Sequence, residues 1–241
     1  MNTYRKTAIS VGVLFIMADV LNMLGNIPLK TILDAPDYLI SISANENQVI
    51  IESLLVLFSA FACAGIAIGL YPVLKKHHEG LALGSVAFRI MEGVLYIVAV
   101  VGLLSLLTLS REYVKAGASN ASLFQVSGTI LLAIKTWAGQ SAVIAFTLGG
   151  MMYYYVFYQS KLIPRWLSGW GFIGVVFSLA ATLLTIFGQI IPFSPVFWIL
   201  HLTIFLQEIV LAVWLIVKGF NPTAVASRSA KTAMNELLSA A

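Results

Sequence analysis

The segment LALGSVAFRIMEGVLYIVAVVGLLSLLT, at residues 81–108, is an apolar run interrupted by two charges, Arg89 and Glu92. About 20 predominantly apolar residues are enough for an α-helix to cross the hydrocarbon core of a bilayer. The segment is longer than that and contains no proline, so it predicts a transmembrane helix. Its two charges would then lie at bilayer depth, where each ionised side chain costs about 3 kcal/mol or more.

Five further segments have the same character, so the sequence predicts an all-α polytopic membrane protein with a bundle of six transmembrane helices. The six predicted spans are residues 8–28, 49–73, 81–108, 126–157, 167–190 and 194–218. The connections are short, which predicts one transmembrane domain over residues 1–220 and a cytoplasmic tail over 221–241. No connection is long enough to hold a soluble catalytic domain.

Composition excludes several other classes of protein. The chain of 241 residues is 60% hydrophobic and 10% charged, whereas soluble domains average about 25% charged residues. The net charge of +4 comes from basic residues that flank apolar segments, so nucleic acid is not an expected partner. The single cysteine, Cys63, lies inside a span and predicts a small core residue. No Cys/His metal spacing occurs, and we expect no metal and no cofactor.

The distribution of basic residues predicts the orientation. Nine lysines and arginines lie on one side of the predicted spans, and they are Arg5, Lys6, Lys75, Lys76, Lys161, Arg165, Lys218, Arg228 and Lys231. Three lie on the other side: Lys30, Arg111 and Lys115. Because basic loops stay in the cytoplasm, both termini are predicted to be cytoplasmic. The apolar run after Arg5 and Lys6 is interrupted by Asp19 and lacks a cleavage site, which favours a retained first span over a signal peptide.

Ionisable and polar residues inside the spans are the candidate site, because such residues mark functional sites by default in membrane proteins. The candidates are Asp19, Glu52, Arg89, Glu92, Lys135, Gln140, His201 and Glu208. A rise of 1.5 Å per residue sets Asp19, Arg89, Glu92 and Glu208 in one layer near the midplane. His201, Lys135 and Glu52 form a second layer toward the outer face.

Charge pairing divides these candidates. Arg89 can pair with Glu92 at the i,i+3 spacing, and Lys135 can pair with Glu52. Asp19 and Glu208 then remain uncompensated, and each needs a proton, a cation or a protonated His201. Arginine suits carboxylate or phosphate recognition because its fork binds two oxygens. The structural alternatives stay open: an ion pair that locks one helix, and a histidine with a purely structural hydrogen bond.

Two weaker patterns add detail. Ser178, Thr182, Thr185 and Gln189 predict a polar stripe on the fifth span, and Tyr153, Tyr154, Tyr155 and Tyr158 suit an aromatic belt at the membrane interface. Gly65 and Gly69 form a GxxxG spacing that predicts close helix contact, with a homo-oligomer as the alternative.

Several stretches resemble a family of bacterial membrane proteins known as domain of unknown function 4386. They are YPVLKK at 71–76, EGLALG at 79–84, FRIMEG at 88–93 and EIVLAVWLIVKGFN at 208–221. The resemblance implies a multi-span bacterial inner-membrane protein, and it supplies no activity. Arg89, Glu92 and Glu208 lie within these motifs.

The leading functional hypothesis is a binding or transport protein for a small polar or amphiphilic ligand in the cell membrane. Arg89 and Lys135 would contact the anionic part of this ligand, and Asp19 with Glu208 would carry protons. An intramembrane enzyme acting on lipid is an alternative that lacks a nucleophile or metal motif, so an enzyme is the less favoured class. A structural or regulatory subunit is the third hypothesis. The expected partners are therefore the lipid bilayer and a small-molecule or lipid ligand.

Overall fold

The computed structural model describes residues 3–117, 121–192 and 194–225. Within these ranges the chain forms helices and no strand. The helices are α1 (Thr3–Leu33), α2 (Tyr38–Ala44), α3 (Glu46–Leu74), α4 (Glu79–Ala116), α5 (Ala121–Ser160), α6 (Arg165–Ile186) and α7 (Pro195–Val217). All except the short α2 are long and apolar enough to cross a bilayer. The protein is thus an all-α, multi-pass membrane protein with six spanning helices, as the sequence predicts.

The end of α6 differs from the predicted span of 167–190. This helix ends at Ile186, because Gly188 has a φ of 67° and the Gln189 N–H turns back to the Leu184 carbonyl at 2.8 Å. A glycine in this conformation is a common helix terminator. Gln189 therefore lies outside the helix and does not extend its polar stripe. Residues 226–241 of the predicted tail, with Arg228 and Lys231, lie outside the described residues.

The six spanning helices pack as a closed ring. α1 packs on α3, α3 on α4, α4 on α5, α5 on α6, α6 on α7, and α7 packs back on α1. Ring closure is fixed by Arg5, whose guanidinium donates hydrogen bonds to the carbonyls of Leu215, Ile216 and Val217 at the end of α7. The beginning of α1 and the end of α7 therefore share one face of the bundle, which we call the terminal face.

The opposite face, which we call the loop face, carries α2 and the connection from α6 to α7. Leu39 and Ile42 of α2 are buried in an apolar cluster with Leu29 of α1 and Leu106 of α4. An ion pair between Arg111 and Glu46 joins the end of α4 to the beginning of α3. α2 was not predicted from the sequence, since its seven residues are too few for a recognisable period.

Glycines allow helix backbones to touch at several levels of the ring. A Cβ atom on Gly12 would lie 2.7 Å from the Ala212 carbonyl oxygen, and one on Gly93 would lie 2.8 Å from the Ala60 carbonyl oxygen. Gly65 and Gly69 face side chains of α1, so the predicted close contact at the GxxxG spacing occurs within the chain. The homo-oligomer alternative stays a prediction.

Candidate functional site

A cavity of about 730 Å³ lies inside the ring and is lined by all six spanning helices. It begins among Asp19, Arg89, Glu92 and Glu208 in the middle of the bundle. From there it extends to Lys30, Asp34 and Ile191 near the loop face. The volume falls in the range of about 300–1,000 Å³ that is typical of small-molecule sites.

Most of the candidate residues predicted from the sequence line this cavity. Those that do are Asp19, Arg89, Glu92, Lys135, Gln140, His201 and Glu208. Glu52 does not line it: this side chain is buried on α3, where its Oε1 accepts a hydrogen bond of 2.9 Å from Gln48. Lys135 lies within electrostatic range of Glu52. Among the described residues, however, the two form no ion pair within 4 Å.

Arg89 and Glu92 form the ion pair that their spacing predicts. The Arg89 Nη1 lies 2.9 Å from the Glu92 Oε2, and both side chains are almost completely buried. The thiol of Cys63 donates to Glu92 Oε1 at 3.4 Å, and the guanidinium lies 5.1 Å from the centre of the Phe146 ring. The positive charge is thus balanced inside the helix, while the buried Arg89 Nε has no hydrogen-bond partner.

Asp19 and Glu208 meet across the junction of α1 and α7. The two carboxyl groups lie close enough to interact electrostatically, and the Tyr153 hydroxyl donates a hydrogen bond of 2.9 Å to Glu208 Oε1. Asp19 Oδ2 is buried and has no hydrogen-bond partner among the described residues. Two buried carboxylates this close to each other would repel, so we expect one of the two groups to hold a proton. The sequence predicted neither the proximity of these two acids nor the hydrogen bond from Tyr153.

His201 lies nearer the loop face than Glu208. Its Nδ1 is 3.1 Å from the Phe197 carbonyl oxygen, and its ring stacks on the Phe197 ring with 4.2 Å between centroids. The structure gives no direct hydrogen bond between His201 and Glu208 among the described residues. A proton relay between them would need a mediating group in the cavity.

The four tyrosines near the end of α5 form two pairs, and the prediction of an aromatic belt at the membrane interface is wrong for one pair. Tyr153 and Tyr154 are fully buried, whereas Tyr155 and Tyr158 are exposed as a belt requires. The Tyr154 hydroxyl donates to Gln207, whose Nε2 donates to the Leu167 carbonyl at 3.0 Å. The sequence does contain a signal for the inward position, because Tyr153 continues the spacing of buried small residues at Ala142, Ala145 and Gly149.

Uncharged polar side chains complete the lining. Ser178 and Thr182 of α6 line the cavity, and the Thr182 hydroxyl donates back to the Ser178 carbonyl at 2.9 Å. Asn22 Nδ2 and Ser178 Oγ are buried without a hydrogen-bond partner. An unsatisfied buried polar group costs about 1–3 kcal/mol, so these atoms favour a ligand or water that can bond to them. No group of three or more His, Cys, Asp and Glu side chains suited to a metal ion occurs in the part of the chain that the structure describes.

The sequence pattern of the family described as a domain of unknown function (DUF4386) matches residues 10–219. The chain belongs to this family. The matched region begins within α1 and includes the other five helices that line the cavity, and it contains Asp19, Arg89, Glu92 and Glu208. Neither a curated protein nor a solved structure matches the chain.

Proposed function

We propose that this protein binds or transports a small polar or amphiphilic molecule with an anionic group, and that the central cavity is the binding site. The observation that carries the proposal is the lining of this cavity. Charged side chains and buried donors without partners converge there from five of the six spanning helices, α1, α4, α5, α6 and α7. A bundle held together only by ion pairs would not need this free volume.

Lys135 is the residue that we assign to the anionic group. Arg89 is neutralised by Glu92, and the described residues provide no ion pair for Lys135. Gln140 lies five residues further along α5 and also lines the cavity, so its amide is a second donor from this helix. An anion at Lys135 would offset a charge that is costly at this depth.

The carboxyl pair of Asp19 and Glu208 gives the site a means of coupling ligand binding to protons. Cys63 of α3, Arg89 and Glu92 of α4, and Tyr153 and Tyr154 of α5 surround this pair. With one proton held on the two carboxyl groups, a second proton removes the remaining negative charge of the pair. An anionic ligand would then enter a cavity with less repulsion, so we expect ligand and proton to bind together.

Native mass spectrometry of the protein purified in mild detergent tests the proposal. We expect wild-type protein to carry a discrete anionic small molecule or amphiphile, and we expect Lys135→Ala to lose it. Lys115→Ala is the matched control, because Lys115 is exposed at the end of α4 and pairs with Glu112. Wild-type protein without any bound molecule, or equal occupancy in the two variants, would contradict the proposed site.

The location that we propose is the bacterial cytoplasmic membrane, with the terminal face in the cytoplasm. The excess of basic residues at this face supports the orientation.

A further inference from the structure

α1 and α7 touch closely in the half of the bundle next to the terminal face. Gly12 packs against the backbone of Ala212, and Arg5 binds the carbonyls at the end of α7. Ala212 is completely buried there. At this level the two helices leave no space between them.

The same two helix faces border the cavity in the half of the bundle next to the loop face. Met23 follows Gly12 by eleven residues, about three helical turns, and therefore lies on the same side of α1. Trp198 precedes Ala212 by fourteen residues, about four turns, and lies on the same side of α7. Both side chains line the cavity and both are exposed. The helix faces that touch at Gly12 and Ala212 therefore border the cavity nearer the loop face. We call this border, formed by Met23 and Ile27 of α1 and Trp198 and Leu202 of α7, the rim.

The rim between α1 and α7 consists of large apolar side chains. Met23 and Ile27 of α1 are 40% and 39% exposed, and Trp198 and Leu202 of α7 are 38% and 44% exposed. Met23 lies roughly 17 Å along α1 from Gly12, which is still within a hydrocarbon core of about 30 Å. A rim at this depth that faced water would expose four large apolar side chains, whereas lipid chains solvate them without cost.

We infer that the cavity opens sideways between α1 and α7 into the leaflet next to the loop face, and that its ligand is a single-chain amphiphile. The anionic head group, a phosphate or a carboxylate, lies inside the ring at Lys135. The alkyl chain passes between the Met23–Ile27 edge and the Trp198–Leu202 edge into the bilayer. This inference rests on the proposed function for the head group. The apolar rim is the observation from which we infer the alkyl chain.

The experiment compares probes that share a head group and differ in the chain. Dodecyl phosphate and methyl phosphate form one pair, and dodecanoate and acetate form the other. Binding to the full-length protein in lipid nanodiscs is measured by calorimetry. The variant that fills the opening is Met23→Trp with Leu202→Trp. Its matched control is Val13→Trp with Val213→Trp, which adds the same bulk at exposed positions on α1 and α7 that do not line the cavity.

We expect the filled variant to bind the long-chain probe at least about tenfold more weakly than wild type, a loss of about 1.4 kcal/mol. Binding of the short probe should change less than about twofold, and the control should match wild type for both probes. Circular dichroism and size-exclusion chromatography check the fold. If the double variant does not fold, Ile27→Trp fills the same opening from one side.

The alternative outcomes separate the two proposals. If the filled variant binds the long-chain probe as wild type does, the lateral opening is overturned and the anion site stands. The lateral opening is also overturned if the long-chain probe binds wild type no more tightly than the short one. If neither pair of probes binds wild-type protein, the head-group site fails and both proposals fall.

Discussion

The buried ion pair between Arg89 and Glu92 gives the sharpest stability prediction. Its N–O distance is 2.9 Å and both side chains are shielded from solvent, so water and salt do not screen the interaction. Glu92→Gln keeps the shape and one acceptor oxygen, but it leaves the guanidinium without a counter-charge. Removing one partner of a buried pair costs about 3–5 kcal/mol. We expect about 3 kcal/mol, the lower end, because the glutamine carbonyl still accepts a hydrogen bond.

The assay is reversible unfolding in mixed micelles of dodecyl maltoside and sodium dodecyl sulfate, followed by circular dichroism. Glu46→Gln is the control, because its ion pair with Arg111 lies partly exposed at the loop face and should be worth less than about 1 kcal/mol. Arg89→Met combined with Glu92→Gln removes both charges. We expect this double variant to be more stable than Glu92→Gln alone. A loss below about 1 kcal/mol for Glu92→Gln, or a double variant as unstable as the sum of its singles, would refute the reasoning.

Three further predictions follow from the same structure. Glu208→Gln should remove the pH dependence of ligand binding, because the amide cannot take up the second proton. The test is a series of binding assays between pH 5 and 8, and a variant that keeps the wild-type dependence on pH would disprove the prediction. Gly93→Val should lower the free energy of unfolding by at least about 2 kcal/mol, since its Cβ would meet the Ala60 carbonyl at 2.8 Å. The half-buried Gly139, which has no atom within 4 Å of its missing Cβ, is the control position. A cysteine at Lys76 in a Cys63→Ala background should react with an impermeant maleimide only after cells are opened, and labelling of intact cells would reverse the proposed orientation.

Depth and the number of spanning helices could be predicted from the sequence, because both depend on local properties of the chain. Span length follows from apolar run length, and the rise per residue set Asp19, Arg89, Glu92 and Glu208 at one level. These four side chains do line the same part of the cavity. The Arg89–Glu92 pair was predictable for the same reason, since both residues belong to one turn of one helix.

Contacts between distant helices could not be predicted in this way. The proximity of Asp19 and Glu208 depends on α7 packing back on α1, and nothing local to either helix determines this closure. The rotation of α5 sets Tyr153 against Glu208, and a tyrosine near a helix end suits an interface equally well. Glu52 is the opposite example. The sequence correctly set it in the same layer as Lys135, but its side chain lies on a side of α3 that does not line the cavity.

The Arg5 clamp on α7 has a consequence for how the protein is made. Arg5 and Leu215 are separated by 210 positions. At synthesis rates of about 5–20 residues per second, roughly 10–40 seconds pass before the last helix emerges. During that interval Asp19 is already part of an inserted first helix, and its partner Glu208 does not yet exist. We therefore expect nascent chains that stop before α7 to contain an unpaired acid within the membrane. Insertion factors and membrane proteases can recognise such an acid.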